Sequence, residues 1–310
     1  MSLIKIIKGV IFTLFASILL SQPAWAFCGF YVSKADSNLY NKASEVVIAR
    51  DGEKTVLTMA NDYQGEVKDF AMVVPVPEIL TENQVHVGEP KIIERLDSFS
   101  APRLVEYFDE DPCNPPIYFN AAPTSTSVGS GVSEQAFRQE AQALGVTIEE
   151  QFSVGEYDIL ILSATESEGL ETWLRQNDYQ IPSGASSVLG AYIRDGLKFF
   201  VAKVNLEEFA NTGYQSLRPL MMAYESPRFM LPIRLGMVNG TGEQDLIAYL
   251  LSPKGRIELT NYRTVKIHSG VEIPEFVEDE FKDFYLDSFE RDYEKEGKNI
   301  AFLEYAWDMS

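Results

Sequence analysis

The chain has 310 residues, 26 basic against 46 acidic, a formal charge of −20 and a hydrophobic content of 45%. That charge excludes binding to a phosphate backbone, which needs clustered Lys and Arg, and electrostatic attachment to anionic lipid. The apolar content excludes a disordered chain, and the length suits one large domain or two small ones.

Lys5 and Lys8 open the chain without an acid, Gly9–Leu20 carries no charge, and Ser21–Ala26 ends in Ala24-x-Ala26. A positive start, a short apolar middle and a small-residue end predict a secretory signal peptide over residues 1–26, cut after Ala26. The apolar run is too short to span a bilayer, which takes about 20 residues. Its removal takes away two lysines and moves the formal charge to −22. The mature chain is therefore expected in an extracytoplasmic compartment, periplasmic or secreted, with no transmembrane helix. Its charge suits cations or a basic partner, including another envelope protein.

Cys28 follows the expected cleavage point by two residues. The bulky Phe27 before it argues against lipid attachment. A catalytic thiolate needs a base, and the two histidines, His86 and His268, lie in no recognisable cysteine-protease context. Two cysteines in an exported chain most simply pair, which predicts a Cys28–Cys113 disulfide, with free thiols as the alternative. Such a bridge closes a loop of 85 residues. In the chain-entropy account that contributes at most about 4–5 kcal/mol.

Residues 27–113 read as β-rich. Glu45–Arg50 and Thr55–Ala60 flank an Asp51-Gly52 turn, and Asn61, Asp62 and Tyr63 read as turn residues before Phe70–Val76. Pro75 and Pro77 push the end of that strand to an edge. Ser100–Phe108 reads as a short helix capped by Ser100. Residues 114–132, rich in Pro, Ser, Thr and Gly, read as a linker.

Residues 133–205 read as an α/β unit of order α-β-β-α-α-β. It comprises a helix at Ser133–Leu144, strands at Thr147–Phe152 and Tyr157–Ser163, and a helix at Glu166–Gln176. A helix at Ser187–Arg194 and the strand "LKFFVAKV" complete it. Thr165 and Glu168 read as a capping box, with Leu170, Trp173 and Leu174 on one face. Residues 206–270 return to β, with strands expected at Arg218–Tyr224, Arg228–Leu235, Leu246–Ser252, Arg256–Thr260 and Tyr262–Ile267. Asn239-Gly-Thr241 matches a glycosylation triplet but reads as a hairpin turn. In residues 271–310, Glu275–Glu296 reads as an acidic amphipathic helix. Phe276, Phe281, Phe284, Tyr285, Phe289 and Tyr293 are expected on one face.

No phosphate-cradling loop, Gly-x-Ser-x-Gly elbow, His-Glu-x-x-His or Cys-x-x-Cys occurs. Asp109, Glu110 and Asp111, with Asn114 nearby, supply the oxygens that Ca²⁺ takes, but not at EF-hand spacing. A solvated face explains them, and equally the run Val277–Asp283. His86 and His268 read as surface or loop residues, and Arg228 and Arg234 as partners for acids. No nucleophile–base pair and no cofactor site emerges.

Several stretches together resemble one family. They are "CGFYVSKAD", "VLTMANDYQGEVKDFAMVVPVP", "SAPRLVEYFDEDPC", "GLETWLRQNDYQIP", "FFVAKVNL" and "LPIRLGMVNG". They are similar to the bacterial exported family known as domain of unknown function 2330, from Cys28 to Met309. The resemblance carries over no activity, cofactor or catalytic residue. It implies a Trp-Cys-Asp-Pro-Cys type segment following "EYAWDMS" in similar members, which offers Cys28 and Cys113 other partners.

The expected fold is α+β, a mainly antiparallel β body shared by 27–113 and 206–270, with the α/β unit set into it and the acidic helix last. The expected function is a non-enzymatic binding or structural module of the cell envelope. The alternative is an extracytoplasmic enzyme, hydrolase-like, with a carboxylate-based site in a concave pocket.

Overall fold

In the computed structural model the described residues are 30–33, 40–64, 70–105, 143–177, 179, 181, 184–214, 216–236, 245–267, 271–297 and 300–308. The first register is set at Gly52, whose φ of 63° suits the primed turn of a two-residue hairpin loop. It joins β2 (Tyr40–Asp51) to β3 (Lys54–Gln64), with Asp51 opposite Lys54. Strand β9 (Leu220–Glu225) pairs with the far side of β3, and β5 (Val85–Val87) pairs with β9. Strand β10 (Asp245–Leu251) adds to β2 in parallel. This five-stranded sheet, order β10-β2-β3-β9-β5, thus draws strands from both β-rich stretches of the chain.

The second sheet is built from β1 (Phe30–Ser33), β4 (Phe70–Val76), β6 (Val146–Val154), β7 (Tyr157–Ala164) and β8 (Lys198–Val204). Its order is β1-β4-β8-β7-β6, and it is antiparallel throughout. The α/β unit therefore does not own a sheet: β4 lies beside β8. The near-continuous apolar runs of β4 and β8 fit a place where both faces are covered. Met72, Val74, Phe200 and Ala202 enter the core between the sheets, with Val46, Ile48, Leu57, Met59, Leu220 and Met222 opposite. Ala71, Val73, Phe199 and Val201 face the other way, into a helix-covered core. Among the described residues Val73 is the last of β4 to pair with β1, and Pro75 beyond it pairs with Phe199 of β8.

Two helices cover that outer face, α2 (Ser167–Gln176) and α3 (Ala185–Arg194), through Leu170, Trp173, Leu174, Leu189 and Tyr192. A Cβ at Gly169 would collide with the Leu144 carbonyl oxygen, so glycine permits the close approach. Helix α1 (Pro90–Ser100) lies on the opposite sheet, seating Ile93 and Leu96 on Val47, Ala60, Tyr249 and Leu251. The layers run α2/α3, sheet, sheet, α1. The short α4 (Leu206–Thr212) leads toward β9. The chain then makes β11 (Arg263–Lys266), a 3-10 segment (Glu275–Glu280), α5 (Phe281–Glu296) and β12 (Ile300–Leu303), with β11 and β12 parallel. The fold is α+β.

Some local readings are corrected. The helix expected at Ser100–Phe108 ends at Ser100 instead. Pro90 occupies its first turn, Ser100 Oγ donates to the Leu96 carbonyl at 2.8 Å, and Pro102 follows the C-cap. The expected Thr165–Glu168 capping box does not form, since Glu166 is the N-cap of α2. Thr165 instead donates through its N–H to the Gly145 carbonyl at 3.0 Å. Asn61, Asp62 and Tyr63 continue β3 rather than forming a turn. Arg228–Leu235 and Arg256–Thr260 are not strands. Pro227 and Pro232 withhold ladder N–H groups, and Asn261 clamps Leu231 by donating to its carbonyl (2.9 Å) and accepting from its N–H (3.1 Å). Residues 114–132, residues 133–142 of the expected helix and the "NGTG" turn lie outside the described residues.

Candidate functional site

Glu156 occupies the β6–β7 turn after Gly155, a position where a carboxylate ordinarily meets water, yet its side chain is 0% exposed. Burying a charge costs several kcal/mol unless it is paired and hydrogen-bonded. Arg218, just before β9 in the other sheet, supplies both. Its Nη2 donates to Glu156 Oε2 at 2.7 Å, its Nε at 3.1 Å, and its backbone N–H to Oε1 at 2.9 Å. The hydrogen bond to Glu156 holds the Arg218 pKa above its ordinary value, against the effect of burial. Gly155 is required here: its φ is 55°, and a Cβ would lie 2.8 Å from Arg218 Nη2. Tyr157 Oη donates to the Arg218 carbonyl at 2.7 Å, and the Tyr214 ring stands 5.5 Å from the guanidinium. Tyr214 in turn donates to Glu89, the N-cap residue of α1, at 3.2 Å. This chain of contacts ties the β6–β7 hairpin, the start of β9 and α1 together. The carboxylate accepts three Arg218 donors, so it is built to hold the seam rather than to take a substrate proton.

Two other polar clusters have the same character. Arg50 donates to Thr55 Oγ1 at 2.9 Å and to the Ser226 carbonyl at 2.8 Å, and lies over the Phe229 ring. Burial pushes the nearby Tyr224 hydroxyl up to about 12, with Arg50 opposing. At Tyr249, two acids from different elements converge. The hydroxyl lies 3.1 Å from Glu45 Oε1 and 3.5 Å from Asp97 Oδ1. Burial first, and then Glu45, raise the Tyr249 pKa, so the phenol stays protonated. Among the described residues no group of three or more His, Cys, Asp or Glu is placed to hold a metal ion.

Cys28, Cys113, Ala26, Asp109, Glu110, Asp111 and His268 lie outside the described residues. His86 stands on β5 opposite Met221, exposed, as a surface residue. Among the described residues Arg228 and Arg234 form no ion pair. The N–H of Arg234 donates to Tyr192 Oη at 3.1 Å.

The C-terminal segment is the exception to this self-contained chemistry. Helix α5 turns Phe281, Tyr285, Ser288, Phe289, Asp292 and Tyr293 inward, an i, i+4, i+7, i+8 stripe. Phe289 packs on Phe302 with centroids 4.8 Å apart, and Tyr285 hydrogen-bonds Glu304. Burial, then that bond, raise the Tyr285 pKa. Phe276 and Phe284 were expected on the same stripe but are left out of it. Residues 275–280 wind as a 3-10 helix, which shifts the phase, and Phe284 is a 100° step from Tyr285. Phe276 is 80% exposed and Trp307 76%, while Leu286 projects into solvent too. The tail is anchored at Tyr305, which meets Phe99 of α1 edge-on at 5.6 Å.

A family model described as "Uncharacterized protein conserved in bacteria (DUF2330)" matches residues 22–310. The chain belongs to this family. No curated protein and no solved structure matches it. In this DUF2330 member no helix among the described residues is long and apolar enough to cross a membrane. Its buried pair Glu156–Arg218 was invisible to sequence reasoning. "VGEYD" has the form of a solvated hairpin turn, and its partner is 62 residues away. The only hint in the DUF2330 chain is a lone Arg between apolar residues at "SLRPL".

Proposed function

We propose that the protein is an exported, non-catalytic binding module that works through its C-terminal segment. One observation carries this reading. The buried ionisable groups of the body are spent on one another, at Glu156–Arg218 and Tyr249–Glu45, whereas Phe276 and Trp307 stand in water. Phe276 and Trp307 are the most exposed large apolar side chains among the described residues, and apolar surface gathered on one segment marks a contact surface. The N-terminal Lys5–Ala26 pattern supports an extracytoplasmic setting.

The test is site-specific photo-crosslinking in the producing cell. A benzophenone side chain at position 276 should give a discrete adduct, and one at the exposed Lys54 should not. Equal labelling from both positions, or none, defeats the docking reading. Cleavage of a substrate by the purified chain, abolished by Glu45→Gln or Asp97→Asn, would defeat it in favour of a carboxylate-based hydrolase.

A further inference from the structure

Resting on that reading, we infer that the outward face of residues 275–294 docks a Lys/Arg-rich amphipathic segment of a partner protein. The apolar part of the face is Phe276 with Phe284 and Leu286, all exposed and all off the stripe that α5 buries. Between them, on the side opposite the buried stripe, run Asp283, Asp287, Glu290 and Glu294, each exposed. Their spacing of 4, 3 and 4 residues puts all four on one ridge of the helix. Among the described residues no ion pair or side-chain hydrogen bond engages any of the four. Like charges at i, i+4, here Asp283 with Asp287 and Glu290 with Glu294, oppose the helix that carries them.

Charge decides what covers the face. Residues 275–296 hold ten acids and three bases, and the whole chain has a formal charge of −20. A second copy would bring the same sign to the same ridge. Anionic lipid and nucleic acid meet the same repulsion. A cationic partner relieves it, and the exposed rings offer both apolar contact and π-faces for its Lys and Arg groups. Apolar flanks on an acidic ridge complement a helix with Leu on one side and Lys on the other.

The probe is a synthetic peptide of about 14 residues with Lys and Leu at helical spacing. Its controls are a Glu/Leu counterpart and a lysine homopolymer of equal charge. Binding to the full chain is read by calorimetry at several salt concentrations. The Lys/Leu peptide should bind and the Glu/Leu peptide should not. Phe276→Ser with Leu286→Ser should weaken binding at least about 10-fold while the melting temperature moves by less than about 2 °C. Neutralising the ridge (Asp283→Asn, Asp287→Asn, Glu290→Gln, Glu294→Gln) should flatten the salt dependence. Equal affinity for the lysine homopolymer, or affinity unchanged by the Phe276/Leu286 variant, reduces the face to bulk electrostatics and overturns the inference. A dimer in sedimentation that this variant dissolves assigns the face to a second copy instead. Crosslinks from position 276 in cells without Lys/Leu binding in vitro overturn the partner chemistry and leave the docking reading standing.

Discussion

The two sides of the sandwich solve the same problem differently. Each five-stranded sheet must cover an outer face. On the β1-β4-β8-β7-β6 side two helices do so with Leu170, Trp173, Leu174, Leu189 and Tyr192, and the cluster is apolar apart from its tyrosines. On the β10-β2-β3-β9-β5 side the described residues supply one helix, which seats Ile93 and Leu96, and Tyr249 stands between Glu45 and Asp97. Ile92 on that helix and His86 on the edge strand remain in contact with water. Tyr192 on the first side accepts a backbone N–H, whereas Tyr249 on the second stands between two carboxylates. A buried phenol set against carboxylates resists ionisation, which makes that side sensitive to alkaline pH.

The largest expected effect breaks the first side. Trp173, 2% exposed, fills the space between α2 and the sheet, and Trp173→Ala should destabilise the chain by about 3–5 kcal/mol. Denaturant midpoints measure it. A loss below about 1 kcal/mol would mean that the helix pair is not a cooperative part of the fold.

The next effect lies at the seam that joins the sides. Arg218→Met leaves the Glu156 carboxylate buried without its partner. Because Arg218 is 20% exposed and so partly solvated, the expected cost is about 2–3 kcal/mol rather than the full value for a buried pair. Adding Glu156→Gln should recover part of that loss. A double-mutant cycle gives the coupling, and strict additivity would contradict a direct ion pair.

The smallest effect sharpens the comparison, because it belongs to the second side alone. The Tyr249 pKa is raised in the folded chain, by burial first and by Glu45 next. Its contribution is therefore complete below the ordinary tyrosine pKa of about 10, and it is lost as pH climbs above that value. Tyr249→Phe should cost on the order of 1 kcal/mol at neutral pH, through the lost hydrogen bond. It should also lessen the fall in melting temperature at alkaline pH. An unchanged alkaline slope would show that Tyr249 does not carry it, whereas Trp173→Ala should leave that slope as it is.

How far these features could be read from the chain depended on how local their causes are. The β2–β3 hairpin was legible, because Asp51-Gly52 and the flanking alternation act within a dozen residues. The buried face of α2 was legible from the spacing of Leu170, Trp173 and Leu174. The helix at Pro90–Ser100 was missed, because Ser100-Ala-Pro102 reads equally as a beginning and as an end. The Arg228–Leu235 and Arg256–Thr260 segments were read as strands, yet Leu231 is held by the Asn261 side chain, a partner that no local pattern announces. The acidic stretch at the C-terminus was read as one helix with one aromatic face. A short 3-10 start is enough to turn Phe276 out of it.

The amino-acid order by itself determined the α+β class, the apolar strands, the acidic helix and the absence of familiar catalytic spacings. Each of those depends on neighbours within a turn or a hairpin. Only the tertiary structure decided that β4 joins β8, that β10 joins β2 in parallel, and that Glu156 is buried beneath Arg218. Those pairings link residues dozens to some two hundred positions apart. Their free energy comes from apolar area and charge that are buried only once the layers have met.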